Sequence, residues 1–500
     1  VTPTPGGSLL VLALLLPVVG VLLSFAVGGR HSARIALGAL LLGLVLMVAI
    51  LAALLASGDA LVYAMGGWSP PLGIALRADG LSAVMLLTTV VVLAAIAVFA
   101  RTDFATPAGS AEARAPLVFW TMLLGVWAGL NVVFLAGDLF TLYVALELLT
   151  FAAVPLVSLD GRAETLQAAL RYLLFALAGS VLYLLGCALL YGAYGTLDIA
   201  LLAASVRADP ATVAAAALMT VGLLAKTALF PLHLWLPPAH AGAPAAASAL
   251  LSALVVKGSF FIVIRLWLDA LPTVVTPEAA QLLGALGAAA IVVGSAVALQ
   301  QTRLKLMIAY STVAQIGYLF LMFPLILGAV AIGQSGATAL TGGMLQTISH
   351  ATAKAAMFMA AGLIYAGLGH DRVADLRGLA RALPMTVWAF ALGGVALIGL
   401  PPAGGFLAKW LLLSSALAIG QWWWAVVLAV GGLLTAGYVA LVLARALTST
   451  EAPIALHTPV ARSRQAVVLA LAVLSALLGL VALAPVDVVQ IGRPTLEVLR

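Results

Sequence analysis

Five lysines carry most of the chemistry legible in this sequence, and four of them stand where a lysine is costly. Lys226, Lys257, Lys354 and Lys409 fall inside long apolar runs, while Lys305 lies at the edge of one. The eighteen arginines lie in loops, tails or at the ends of such runs. Lysine gives up its proton when desolvation disfavours the charge, whereas arginine stays charged. A titratable base inside and a permanent cation outside is the division that stepwise proton movement through an apolar medium requires. A charge held at mid-bilayer costs about 3 kcal/mol or more, so each buried lysine needs a partner or water. Glu147, in TLYVALELLTFAAVPL, is the only acid near the middle of any run and supplies such a partner; Asp138 stands at the edge of the same run.

A Glu–Lys pair within a bundle exists charged or neutral, and its balance shifts with each proton taken up beside it. His350 and Lys354 are four residues apart and share a helix face. His233 and His240 flank a proline-rich break and read as groups near a membrane interface. Together these form a spaced series of titratable groups suited to relay. A competing role exists for each: a buried ion pair also fixes helix packing. Ser311, Thr312 and Gln315 either line a water path or bond neighbouring helices. Trp422, Trp423 and Trp424 read as an interfacial anchor.

The elements that must hold these groups follow from composition. Charged residues make up 8% of the chain and hydrophobic residues 64%, against about 25% charged in a typical soluble protein. A bilayer, not a soluble core, accommodates that much apolar surface. Runs long enough to cross the hydrocarbon, about 20 residues each, occur near 8–27, 35–56, 81–100, 116–135, 140–158, 166–191, 213–236, 245–264, 280–299, 306–327, 341–368, 384–418, 422–444 and 466–483. They predict an all-α integral membrane protein of about fourteen transmembrane helices, spans 1–14, followed by a short C-terminal tail. The first run lacks the basic flank of a cleaved signal peptide and reads as a retained span.

Loops leaving odd-numbered spans hold fourteen basic residues, among them Arg30, Arg34, Arg101, Arg114, Arg303 and Arg464; those leaving even-numbered spans hold Arg77, Arg207 and Arg265. The positive-inside rule then places the first set in the cytoplasm and both termini on the outer, periplasmic side of a bacterial inner membrane. Prolines 231, 237 and 238 interrupt span 7, and Pro401, Pro402, Gly404 and Gly405 interrupt span 12. Breaks five spans apart suggest two inverted five-helix repeats, spans 4–8 and 9–13. The expected organisation is residues 1–114 for spans 1–3, 115–270 and 271–447 for the repeats, and 448–500 for span 14 and the tail.

The sequence offers no house for a cofactor or metal. The single cysteine, Cys187, excludes an intrachain disulfide and a cysteine-ligated cluster, and neither a dinucleotide fingerprint nor a Walker loop is present. The formal charge of +6 comes from arginines in short loops between spans, a membrane pattern and not a nucleic-acid one.

The segment AKTALFPLHLWLPPAHAGAPAAASALLSALVVKG, from Ala225 to Gly258, resembles the signature of the proton-conducting, antiporter-like family. That family includes the D and A subunits of Mrp-type sodium/proton antiporters and the antiporter-like N, M and L subunits of respiratory complex I. GDLFTLYVALELL around Glu147, LKLMIAYSTVAQIGY, SHATAKAAMFMAAG and GLPPAGGFLAKW agree with it as well, so the resemblance covers most of spans 4–12. It implies a fourteen-helix core with broken spans 7 and 12 and a central polar axis. By motif position, Glu147 resembles the family's span-5 glutamate, Lys226 its span-7 lysine, Lys257 its span-8 bridging base and Lys409 its terminal group, while His350 and Lys354 match polar span-11 positions. A lysine at 409 is more similar to the Mrp D subunit, or to the N and L subunits, than to M. The short tail argues against L and the large A subunit. Gly242 departs from the pattern, since many relatives carry a polar or acidic residue there. The resemblance implies a subunit that moves protons in exchange for Na+ beside other integral membrane subunits in the bilayer. The alternative is a proton-pumping subunit of a redox complex, either an NADH:quinone oxidoreductase or a membrane-bound hydrogenase.

Overall fold

A backbone surrounded by hydrocarbon must satisfy its N–H and C=O groups within itself, and the apolar runs accordingly become helices. The computed structural model describes residues 4–449, 454, 456–480 and 485–493. Among these, twelve helices are long and apolar enough to cross a membrane. Spans 1–6 are Ser8–Val27, Ser32–Ser57, Gly80–Ala100, Arg114–Leu135, Leu139–Val157 and Ala163–Tyr194. Spans 8–11 are Ala245–Ala270, Pro277–Leu299, Leu304–Ala331 and Ala337–Leu368, and span 13 is Trp422–Leu447.

Both expected breaks are present. Span 7 runs over Pro210–Thr227, stops, and resumes as the short helix Leu236–Gly242. Span 12 is split into Pro384–Ile398 and Gly404–Ala418, and span 14 is the helix Arg462–Leu477. The expected end of span 14, at 481–483, and most of the tail lie outside the described residues. Span 8 differs from expectation: it continues six residues past 264, to Ala270. Arg265 and Asp269 therefore sit on the helix and are buried, where the sequence reading placed Arg265 in a loop.

The first and last described segments lie at one end of the bundle, beside the same hairpin. Strands Leu61–Ala64 and Ala75–Ala78 form an antiparallel hairpin between spans 2 and 3. The Thr4 amide donates to the Val62 carbonyl at 3.0 Å, and the Gly80 amide donates to the Ile491 carbonyl at 2.9 Å. An even number of crossings demands this common end.

The two expected halves pair alike. Span 4 packs along 5 and span 6 along 7; span 9 packs along 10 and span 11 along both halves of 12. Lipid gives helices no hydrophobic reason to associate, so close approach over small residues must supply the contact. Gly179 of span 6 and Gly222 of span 7 face each other so closely that a Cβ on either would meet the other's carbonyl oxygen. Gly287 and Gly317 do the same between spans 9 and 10. Gly222→Val is accordingly expected to push span 7 off span 6 and destabilise the protein by about 1–3 kcal/mol. A lower melting temperature in detergent would show it, and an unchanged one would contradict the packing argument.

Candidate functional site

Glu147 lies eight residues into span 5, about 12 Å along the axis, on a helix whose start is capped by Asp138 accepting from the Thr141 amide at 2.7 Å. Lys226 occupies the last turn of the first half of span 7. That half-helix ends because Ala228 adopts a left-handed conformation, φ 58°, which a non-glycine residue tolerates only when its surroundings impose it. Trp235 helps impose it by donating its indole N–H to the Ala225 carbonyl at 2.9 Å. The break thus leaves a lysine amine beside span 5. Lys226 Nζ is 3.2 Å from Glu147 Oε1, 3.0 Å from Thr150 Oγ1 and 3.4 Å from the Leu146 carbonyl. Its three donors are matched by three acceptors. The Ser180 hydroxyl donates to the same Glu147 oxygen. Lys226 is buried, whereas the Glu147 side chain is 16% exposed and is flanked by exposed Val144, Leu148 and Phe151. The pair therefore sits at the margin of the bundle.

A cavity of about 10 Å³ adjoins Lys226, lined by Thr150, Tyr172 and Ser259 among others, which is room for roughly one water. Ser259 is bonded to Thr227 at 3.0 Å, which carries polar contact from span 7 to span 8. Span 8 widens into π-helical turns at Leu251–Val255 and Arg265–Ala270. At the first, the Val256 amide bonds Leu251 in place of Ser252, and the Lys257 ammonium donates to the Ser252 carbonyl. Such widened turns recur at functional sites because they release a carbonyl from the helical ladder. The Ser252 hydroxyl meets Thr312 at 2.9 Å. One turn away on span 10, the Ile308 carbonyl accepts from Lys354 Nζ at 3.0 Å, and Ser311 accepts from it too. His350 is wholly buried, and neither of its ring nitrogens has a partner among the described residues.

Toward span 12, Gln346 donates to Gln315 at 3.1 Å, and Gln315 in turn donates to the Leu397 carbonyl at 3.4 Å. Lys409 Nζ donates to that same carbonyl at 2.7 Å and to Ile398 at 3.0 Å. These are the last carbonyls of the first half of span 12, where a cation is favoured by the helix dipole. The amine lies 4.1 Å from the centre of the Tyr318 ring, a cation–π distance. Gly399, with φ 87°, leaves the room: a Cβ there would sit 2.8 Å from Lys409 Cδ.

Of the six residues picked from the sequence, Glu147 and Lys226 are brought into direct contact. Lys257, His350 and Lys354 share the buried middle, and Lys409 stands at the far end. Successive lysines are not bonded to one another; Ser259, Thr312, Ser311, Gln346 and Gln315 stand between them. Of the two uses considered for the span-10 polar residues, the structure shows the bonding of neighbouring helices.

Two further ionisable groups emerge. His240 is wholly buried within the protein, stacked on Phe358 at 4.8 Å between ring centres, and neither ring nitrogen has a partner among the described residues. Lys305 is buried and donates to the Ala243 carbonyl, three residues beyond His240. Lys305 lines a cavity of about 330 Å³ with Asp103, Asp160, Arg162, Arg303 and Arg464, at the arginine-rich end of the bundle. Hydropathy alone had marked Lys305 as an edge residue; the signal for it lay in the reversal of the chain at span 7. The opposite end holds a second buried cluster. Arg265 pairs with Asp79 through both guanidinium nitrogens, at 2.5 and 2.8 Å, and with Asp269 at 2.7 Å; Arg493 meets the other oxygen of Asp269 at 2.7 Å.

Fold and site together define a polytopic membrane protein with a buried file of ionisable side chains running across its middle. The chain belongs to the NADH:quinone oxidoreductase/Mrp antiporter transmembrane family, whose profile matches residues 136–435. It is 37% identical over 396 residues to the N subunit of the NADH-quinone oxidoreductase of Desulforudis audaxviator, covering 78% of this chain and 75% of the relative. It is 29% identical over 436 residues to the D subunit of the Na(+)/H(+) antiporter of Alkalihalophilus pseudofirmus, covering 86% and 84%. Its fold matches a chain of the Mrp complex from a Dietzia species with a TM-score of 0.86 at 26% identity, over 99% of both chains.

Proposed function

We propose that this chain is the proton-translocating subunit of a multisubunit Na+/H+ antiporter of Mrp type, set in a bacterial inner membrane with both termini outside. The observation that carries the proton role is the series of buried groups from Glu147 and Lys226 through Lys257 and Lys354 to Lys409, with polar contacts between the spans that hold them. Protons reach it from the cavity at the arginine-rich end, past Lys305 and His240. Glu147 tunes Lys226: when the pair is close the ammonium is favoured, and when it separates the buried amine releases its proton. The end-to-end match to an Mrp chain supports the antiporter setting, and the arginine skew together with the shared end of the termini supports the orientation. The partners on this reading are other integral membrane subunits, protons and Na+.

A second reading, a pumping subunit of a redox-driven complex, is favoured by the identity to the N subunit of an NADH-quinone oxidoreductase. Affinity purification in mild detergent with identification of co-purifying chains separates the two. Small membrane subunits without flavin or iron–sulfur proteins, followed by sodium-driven proton exchange in vesicles, are expected. Co-purifying flavin or iron–sulfur subunits would replace the antiporter with a redox complex.

A further inference from the structure

We propose that a basin at the arginine-rich end of spans 1–4 binds the headgroup of an anionic phospholipid. The basin encloses about 690 Å³ between the turn joining spans 1 and 2 and the loop joining spans 3 and 4. Arg30, His31, Arg34 and Arg101 line it, with backbone of the segment 105–111 forming its opposite wall. The three arginines are exposed and, among the described residues, none makes an ion pair. Elsewhere at the same end Arg162, Arg303 and Arg464 are neutralised by Asp160, Asp371 and Asp103. Arg30 Nε donates to His31 Nε2 at 2.9 Å, which orients the guanidinium. The Glu112 side chain lies against Gly29 and does not line the basin.

The positive-inside pattern accounts for arginines at this end, but not for three unpaired ones converging on one cavity. Guanidinium groups match phosphate oxygens in pairs, and basic pockets between helix ends on the cytoplasmic side suit lipid headgroups. Depth and surroundings point to a lipid and not to free phosphate. Arg34 lies in the first turn of span 2, and Arg101 directly follows the last residue of span 3, so the cations stand at the membrane boundary. Beside them spans 1 and 2 present exposed Leu22, Phe25 and Val27, and Leu41 and Val45, apolar surface along which acyl chains lie.

The test is a thermal-stability titration of the purified, detergent-solubilised complex with phosphatidylglycerol, phosphatidylcholine and inorganic phosphate. Wild type is expected to gain melting temperature with phosphatidylglycerol alone. A variant combining Arg30→Gln, Arg34→Gln and Arg101→Gln should need roughly 100-fold more of it, since each arginine at a membrane surface is worth about fivefold in affinity. Arg207→Gln, at the opposite end, should titrate as wild type. Single variants, each shifted about fivefold, keep the test open if the triple variant is unstable. An equal response to phosphatidylcholine, stabilisation by inorganic phosphate alone, or an unshifted titration in the arginine variants would overturn the proposal.

Discussion

Lys226→Arg is expected to reduce proton transport roughly 100-fold while the protein still assembles, and Lys226→Ala to do the same with weaker assembly. Arginine keeps a positive charge within reach of Glu147 and Thr150 but does not release its proton. The file would then have to pass its charge without a base at this point, and a charge at mid-membrane costs about 3 kcal/mol, roughly two orders of magnitude in rate. Proton movement into sealed vesicles containing the assembled complex, read with a pH-sensitive dye, measures the loss. The two variants separate relay from packing. If Lys226 serves only to hold span 7 against span 5, arginine rescues transport because the charge is retained. Wild-type transport by Lys226→Arg would therefore sink the relay role and leave a structural ion pair.

Arg265→Gln should cost about 3–5 kcal/mol of stability, because it leaves Asp79 buried without its ion-pair partner while Asp269 keeps only Arg493. The expected sign is a large loss of folded protein in detergent, seen as aggregation on size-exclusion chromatography. Arg265→Gln combined with Asp79→Asn should recover part of it, since removing both charges removes the uncompensated one. The same cluster sets an acid limit. Burial by itself would raise the pKa of Asp79, but the Arg265 guanidinium outweighs it and holds the carboxyl well below its ordinary value of 3.8. A depressed native pKa contributes stability that is fully present above the unfolded value and is lost as pH falls through the folded one. Acid destabilisation is thus expected only below about pH 4, and the Asp79→Asn chain should show less of it. A melting temperature for Arg265→Gln equal to wild type would mean that the cluster is hydrated and carries little energy.

Much of this protein was legible in its sequence because hydrocarbon imposes a one-dimensional rule. A helix crossing it must be apolar, so most of the fourteen runs of about 20 residues became helices, twelve helices among the described residues being long and apolar enough to cross, and the prolines at 231 and 401–402 marked both breaks. The burial of Lys226, Lys257, Lys354 and Lys409 was legible for the same reason: a residue in the middle of such a run has no solvent to reach. What hydropathy does not encode is which spans are neighbours, and there the tertiary structure decided. Lys305 reads as an edge residue until the reversal after Gly242 brings the Ala243 carbonyl over it. Nor does the sequence show that span 11 lays Phe358 against the ring of His240 and buries it. Arg265 reads as a loop arginine until Asp79, far away in sequence, supplies the counter-charge that lets span 8 continue past it. The chain of hydroxyls and amides between the lysines likewise depends on Ser252 meeting Thr312 and Gln315 meeting Gln346 across different helices. The sequence alone determined which residues lie in the membrane, because that depends on local composition; which of them touch depends on helix packing set by close glycine contacts such as Gly179 on Gly222, and only the folded chain brings those together.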